Sequence, residues 1–118
     1  MKVVILENFL KKGWDARELV DSWTPILTRI YWGIFVWGKE LQMNLVKGEE
    51  LKLEWDPQNK YDTFAVSVKY RGKVLGYIKK ELSTAMLYLN EWHCLVHRHL
   101  QEGTIDIGAE ILLVKKKK

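Results

Sequence analysis

The sequence has little of several features that define whole classes of protein. Its one cysteine, Cys94, cannot form a disulfide within the chain, so nothing indicates an oxidising compartment. Its longest apolar run, Ile30 to Trp37, is too short to span a bilayer and is interrupted by Gly33. The N-terminus lacks the layout of a signal peptide. We therefore expect a cytoplasmic protein with no membrane partner, one that would associate with the nucleoid in a bacterium.

Repeats, low-complexity segments and flexible linkers are also missing. The 118 residues are enough for one domain of ordinary size and leave no room for a second core. The chain is 47% hydrophobic and 29% charged, which is typical of a folded globular protein and excludes a disordered one.

The excess of positive charge comes from one end of the chain. The formal net charge is +4, and four lysines stand together at positions 115–118, so the body of the protein is neutral. Total charge therefore does not indicate a polyanionic partner. The segment between Lys69 and Lys80 nevertheless contains five cations and no acid. Such a run is either a solvated face or a phosphate-binding surface, and the pattern alone leaves both readings open.

The apolar pattern predicts mostly strands. Six segments have strand-like composition or alternation: Ile30–Trp37, Leu51–Trp55, Phe64–Tyr70, Lys73–Ile78, Trp92–Leu100 and Gly108–Val114. Trp92–Leu100 could also extend the preceding helix through Val96 and Leu100, but the pattern favours a strand. Arg71-Gly72 predicts a two-residue hairpin turn, which would place Val68 opposite Leu75 and Val66 opposite Tyr77. Gly76 would then leave a gap that a second backbone or a ligand could approach.

Two segments have helical spacing instead. Asp15 is a suitable N-cap for a short helix from Ala16 to Trp23, which Pro25 would stop. The main helix is predicted between Lys79 and Asn90, where the apolar residues Leu82, Ala85, Met86 and Leu89 recur along one stripe. The short connections between strands predict a mainly β, α+β domain, in which an antiparallel sheet curls into a partly open barrel with helical cover.

The residues that could carry catalysis do not form a convincing set. His93, Cys94, His97 and His99 lack the further ligands of a zinc site, and nothing in the sequence shows a base or oxyanion donors for a thiol nucleophile. Asp56 and Asp62 do not have the spacing of a calcium loop, and a two-metal site would need more carboxylates. We expect no metal, no cofactor and no enzymatic activity.

One ordered set of motifs remains. It consists of Trp55-Asp56-Pro57-Gln58-Asn59-Lys60-Tyr61-Asp62, then Ala65-Val66-Ser67-Val68, then Gly72-Lys73-Val74-Leu75-Gly76-Tyr77-Ile78, with Arg29-Ile30-Tyr31-Trp32-Gly33 upstream. In this order the motifs resemble the HIRAN family, and the resemblance extends from Arg29 to about Asn90. The sequence departs from the family pattern at Lys60, where the family has proline, and at Ile30, where eukaryotic members have an aromatic residue. Trp55 replaces the arginine that often precedes the acid-proline pair. Tyr77 stands where the eukaryotic domain has histidine, although tyrosine is common elsewhere in the family.

The resemblance implies an OB-like barrel that captures the 3′ end of single-stranded DNA. It divides the chain into an N-terminal extension (1–28), a HIRAN-like domain (29–114) and a lysine tail (115–118). Carried over residue by residue, the nucleic-acid-binding positions are Arg29, Tyr31, Asn59, Tyr61, Asp62, Tyr77, Lys79 and Lys80.

Three functional hypotheses follow from the residues and the resemblance. The first is a non-catalytic module in DNA repair or processing that binds single-stranded DNA ends, with a helicase or a nuclease as a partner in trans. The second is a protein-interaction module with the same fold and no end recognition. The third, a nuclease subunit, would require divalent-metal-dependent cleavage. The oligomeric state is not predicted.

Overall fold

The computed structural model describes residues 2–32 and 45–116. The strands are β1 Val4–Ile5, β2 Ile26–Tyr31, β3 Glu50–Trp55, β4 Val66–Tyr70, β5 Lys73–Tyr77, β6 Trp92–Glu102 and β7 Ile105–Lys115. The helices are α1 Leu6–Lys11, α2 Ala16–Asp21, α3 Lys80–Ser83 and a 3₁₀ helix, Leu89–Glu91. Within these described ranges, no helix is long and apolar enough to cross a membrane. The part of the predicted first strand that follows Trp32 lies outside the described residues.

The strands form one sheet in the order β1-β2-β7-β6-β3-β4-β5. Every neighbouring pair is antiparallel except β1 and β2. The sheet curls until β5 contacts β2, although the two strands are not neighbours in the hydrogen-bonded order. This arrangement confirms the predicted OB-like, partly open barrel.

Gly76 lies where the two ends of the curled sheet meet. A Cβ atom at this position would be 3.0 Å from the Tyr31 carbonyl oxygen and 3.2 Å from the Ile30 Cβ. Only a residue without a side chain lets the two backbones approach this closely. The predicted gap at Gly76 is therefore confirmed, and strand β2 fills it.

The β4–β5 hairpin has the predicted turn but not the predicted register. Arg71 and Gly72 both have positive φ angles, 51° and 80°, as a type I′ turn requires. A bulge then makes Val68 pair with Gly76 instead of Leu75. The predicted pairing is wrong because the extra residue, Leu75, is itself buried in the core while Gly76 meets β2.

The N-terminal residues are part of the same core. Leu6 of α1 and Leu19 of α2 are buried in it, and β1 pairs with β2. The Asp15 side chain accepts a hydrogen bond from the Arg17 N–H, as predicted for the N-cap of α2. The helix ends at Asp21, and Trp23 leaves it with a positive φ of 63° and an exposed ring. The predicted extent to Trp23 is wrong.

The predicted main helix is much shorter than expected. Only Lys80–Ser83 is α-helical, although Leu82 and Met86 are fully buried as their spacing indicates. The hydroxyl groups of Ser83 and Thr84 both donate to the Lys80 carbonyl. Such side-chain bonds compete with the backbone ladder, so the apolar spacing identified the buried residues but not the helix length.

Candidate nucleic-acid interface

The β3–β4 loop (residues 56–65) is held together by its own hydrogen bonds. The Asp56 N–H donates to the Ala65 carbonyl at 2.9 Å and closes the loop. The Asn59 Oδ1 accepts from the N–H groups of Tyr61 at 2.9 Å and Asp62 at 3.1 Å. Asn59 thus braces the turn that carries the tyrosine and the aspartate, as short polar side chains commonly do in loops.

This turn exposes Tyr61 and orients Asp62. The Tyr61 side chain is 94% exposed, so both faces of its ring are open to a ligand. The Asp62 Oδ1 accepts from the Phe64 N–H at 2.9 Å, and the Asp62 carbonyl accepts from the Ala65 N–H. Among the described residues, none bonds to the second carboxylate oxygen. The loop therefore combines an exposed aromatic ring with an available carboxylate oxygen.

Phe64 lies outside β4, although the apolar pattern predicts that it begins this strand. Strand β4 begins at Val66, and the Phe64 ring is 60% exposed. The predicted strand Phe64–Tyr70 is therefore wrong at its start, because Asp62 holds residues 64 and 65 in a turn. An exposed phenylalanine three residues after Tyr61 adds apolar surface to the loop.

Tyr77 connects the end of β5 to the β3–β4 loop. Its hydroxyl donates to the Asp56 Oδ2 at 3.1 Å, and its ring is partly exposed. Burial, together with this bond to Asp56, raises the pKa of the Tyr77 phenol above its ordinary value. The sequence placed Tyr77 in the site but gave no role to Asp56, which orients it.

Arg29 and Tyr31 lie on the outer side of β2, because the alternate residues Thr28 and Ile30 are buried. Interaction with the Tyr31 side chain raises the pKa of the Arg29 guanidinium above its ordinary value. Since Gly76 touches the Tyr31 backbone, the strand ends that carry Tyr31 and Tyr77 are in contact. The structure thus brings five predicted residues, Tyr31, Asn59, Tyr61, Asp62 and Tyr77, to adjoining loop and strand ends, with Arg29 beside Tyr31.

Lys79 and Lys80 follow β5 directly at the start of α3. Lys80 is exposed, whereas Lys79 is half-buried and lines a shallow depression with Glu7, Lys11 and Glu81. The two lysines therefore differ: Lys80 is open to solvent, and Lys79 lies beside α1.

The structure also shows a group that the sequence did not predict, in which Arg29, His97 and Arg98 surround Glu110; we call it the cation cluster after its two arginines. The Arg98 Nε donates to the Glu110 Oε1 at 3.0 Å, while the Arg29 Nε lies 3.9 Å from Oε2 and the His97 Nε2 lies 3.8 Å from Oε1. These residues come from three adjacent strands, β2, β6 and β7, so only the sheet register reveals the cluster.

The histidines and the cysteine occupy separate environments along β6. His93 pairs with Glu50, and the two ring nitrogens of His99 contact Asp106 and the Leu45 carbonyl. Burial raises the pKa of the Cys94 thiol well above its ordinary value, which leaves it protonated. The part of the chain that the structure describes contains no group of three His, Cys, Asp or Glu residues arranged to hold a metal ion.

The molecule is thus a small curled β-barrel with aromatic, acidic and basic side chains at its strand ends. The family model for the HIRAN domain matches residues 31–114, which is most of the chain. The chain belongs to the HIRAN family, whose members are nucleic-acid-binding domains. Neither the curated proteins nor the solved structures provide a match to this sequence.

Proposed function

We propose that this domain binds the free 3′-hydroxyl end of single-stranded DNA as a non-catalytic module. The observation that carries the proposal is the turn braced by Asn59. It presents the exposed Tyr61 ring next to an Asp62 carboxylate with one oxygen free of bonds to the described residues.

Each of these two groups suits one part of a DNA end. An exposed aromatic ring stacks on a base of any sequence, which contributes about 1–3 kcal/mol per base. A carboxylate accepts a strong hydrogen bond from a hydroxyl group but repels a phosphate. Tyr61 therefore supports binding of the last base, and Asp62 supports discrimination in favour of a free hydroxyl.

The neighbouring residues fit the nucleotides before the end. The partly exposed rings of Tyr31 and Tyr77 are carried by strand ends that touch, and both offer further stacking surface. Arg29 and Lys80 are exposed cations that can neutralise phosphates, so we expect binding to weaken as salt rises. Lys79, half-buried beside α1, is the least accessible of the proposed contacts.

The proposal is tested by fluorescence anisotropy with matched oligonucleotides that end in a 3′-hydroxyl or a 3′-phosphate. Wild type should prefer the hydroxyl. Asp62→Asn keeps an oxygen for the Phe64 N–H but removes the charge, so this variant should gain affinity for the phosphate end and lose most of the preference. Asp21→Asn, at the exposed end of α2, is the matched control and should keep the preference. Equal affinity of wild type for both ends would exclude end recognition.

A second candidate is a protein-interaction module, and one feature favours it. Strands β3 and β6 pair only at Glu50 and Leu51 within the described chain, and beyond them a groove opens between the strands. Leu53, Trp55 and Leu89 line this groove, whose volume is about 510 Å³. A wild-type protein that binds neither oligonucleotide would favour this function over DNA-end binding.

The cellular setting is part of the same proposal. An end-binding module acts on DNA that another enzyme opens or trims, so we propose a helicase or a nuclease as the partner in trans and the cytoplasm as the location. Co-purification of the tagged full chain, with nuclease treatment as a control, tests the partner. Loss of the partner on nuclease treatment would show that DNA alone joins the two proteins.

A further inference from the structure

The cation cluster has a specific construction. Arg29, Glu110 and Arg98 stand directly opposite one another on β2, β7 and β6. Between Val96 and Arg98 the register shifts, so that His97 is an extra residue without a partner on β7. The resulting bulge lets consecutive residues of β6, His97 and Arg98, approach the same carboxylate. Bulges commonly redirect side chains in this way beside functional sites.

The single carboxylate of Glu110 lies beside two guanidinium groups. The Glu110 side chain is only 8% exposed, and a buried carboxylate requires a cationic partner, which either arginine could be. One carboxylate balances one of the two guanidinium groups. Glu7 is a second acid near Arg29 and attracts its guanidinium, so Arg29 has a carboxylate other than Glu110 beside it. Glu110 therefore needs only one of the two arginines as its cationic partner.

Arg98 is the residue of the cation cluster whose terminal guanidinium nitrogens are available to a ligand. Its side chain is 56% exposed, and it bonds Glu110 through Nε alone. Its terminal nitrogens make no hydrogen bond to any residue in the ranges 2–32 and 45–116. Such a guanidinium, held by a carboxylate on one side, can bind a phosphate with two parallel hydrogen bonds on the other.

The cluster continues from the proposed DNA-binding surface. Arg29 lies two residues before Tyr31, whose backbone touches β5 just before Tyr77. Arg98 lies on β6, two strand spacings or about 10 Å across the sheet from Arg29. A single strand that leaves Tyr31 along the sheet surface would pass Arg29 first and Arg98 second.

We propose that Arg98 binds a backbone phosphate of the single strand on the 5′ side of the captured end. The hydrogen bond to Glu110 orients the Arg98 guanidinium, and the bulge at His97 brings Arg98 opposite Glu110. This inference rests on the proposed function and adds a second phosphate site to it. A single strand must then be long enough to reach Arg98 in order to bind tightly.

The experiment measures salt-dependent binding of two 3′-hydroxyl oligothymidylates of about 4 and about 16 nucleotides, the usual limits of an OB-fold site. Arg98→Gln should weaken binding of the long ligand about fivefold and reduce its salt slope by about 0.7, the value for one phosphate contact on a single strand. Binding of the short ligand should not change. Arg17→Gln, which removes an exposed arginine on α2, is the matched control and should bind both ligands as wild type does.

Arg98→Gln also removes the hydrogen-bond partner of the buried Glu110 carboxylate, and a double variant controls for this effect. Arg98→Gln with Glu110→Gln leaves no buried carboxylate without a cationic partner, and its reference is Glu110→Gln alone. The double variant should bind the long ligand less tightly than this reference. Equal binding would show that Arg98 serves only to pair with Glu110, and would overturn the inference.

The outcomes also separate the inference from the proposed function. If Asp62→Asn abolishes the hydroxyl preference while Arg98→Gln has no effect, the second phosphate site is wrong and end recognition remains. If Arg98→Gln weakens the long ligand while wild type shows no end preference, the phosphate site remains and end recognition is wrong. A wild type that binds neither ligand overturns both.

Discussion

The β3–β4 loop and the cation cluster are two parts of one surface that are built in opposite ways. The loop is shaped by bonds between residues two or three positions apart, such as those from Asn59 to Tyr61 and Asp62. The cluster joins residues of β2, β6 and β7, with 12 positions between Arg98 and Glu110. The loop depends on local turn chemistry, whereas the cluster depends on the register of the sheet.

This difference has a consequence for mutation. A change within the loop should alter the recognition of the DNA end while the barrel stays folded, because few core contacts depend on the loop. A change that disturbs the strand register should lower the stability of the domain. It should also displace Arg98 and its neighbours, because strand pairing sets their positions. The following predictions test this contrast.

The largest effect is expected from Gly108→Ala, which acts on the register. A Cβ atom at residue 108 would lie 2.2 Å from the Ile30 carbonyl oxygen, so β2 and β7 would have to separate. We expect a loss of about 3 kcal/mol in the free energy of unfolding, measured by urea denaturation. Gly76→Ala, with contacts of 3.0 and 3.2 Å, should cost less. Unfolding curves that coincide with wild type would show that the sheet adapts freely at both positions.

The next effect is expected from Asn59→Ala, which acts on the loop. The change removes the acceptor of two backbone N–H groups, at a cost of about 1–2 kcal/mol. The preference for the 3′-hydroxyl end should also decrease, because the turn that carries Tyr61 and Asp62 loses these two hydrogen bonds. Asn59→Asp retains the acceptor and should retain most of the stability. If Asn59→Ala keeps the full preference for the 3′-hydroxyl end, the hydrogen bonds to Asn59 are not required to position Tyr61 and Asp62.

His99 makes the stability of the β6–β7 hairpin depend on pH. Burial alone would lower the pKa of this histidine, but hydrogen bonds to the Leu45 carbonyl and to Asp106 raise it above its ordinary value. Both ring nitrogens face acceptors, at 2.6 Å for Asp106 and 2.9 Å for Leu45, so the geometry favours the charged ring.

Because the folded state binds this proton more tightly than the unfolded state, the extra stability is fully present below pH 6.5. It is lost as pH rises through the raised pKa of the folded state. Urea unfolding from about pH 5 to about pH 9 should show a decline that His99→Gln reduces. Identical pH profiles for the two proteins would contradict a charged His99. Because the partners of His99 are Asp106, Leu45 and Trp32 rather than residues of the β3–β4 loop, the hydroxyl preference at one pH should be the same in both proteins.

The smallest effect is expected from Phe64→Ser, since this ring is exposed and outside β4. Its stability should stay within about 0.5 kcal/mol of wild type. Val66→Ser, two positions later and fully buried, should cost about 3 kcal/mol. A large loss of stability for Phe64→Ser would show that Phe64 packs against the core after all.

Much of the fold could be predicted because its signals are local. The alternation of Leu51 to Trp55 and the turn at Arg71-Gly72 identified β3 and the β4–β5 hairpin, and Asp15 marked the start of α2. The length of the helix after Ile78 was overestimated because apolar spacing reports burial, and it carries no information on the hydroxyl bonds of Ser83 and Thr84 to the Lys80 carbonyl at the helix end.

The sequence by itself determined the β3–β4 loop, since Asn59, Tyr61 and Asp62 make their turn within a few residues. Only the tertiary structure decided the bulge at His97 and the meeting of Gly76 with β2, because both depend on strands that are distant in sequence. The physical reason is that turn chemistry acts over a few bonds. Register and closure follow from how the whole sheet buries its inner face.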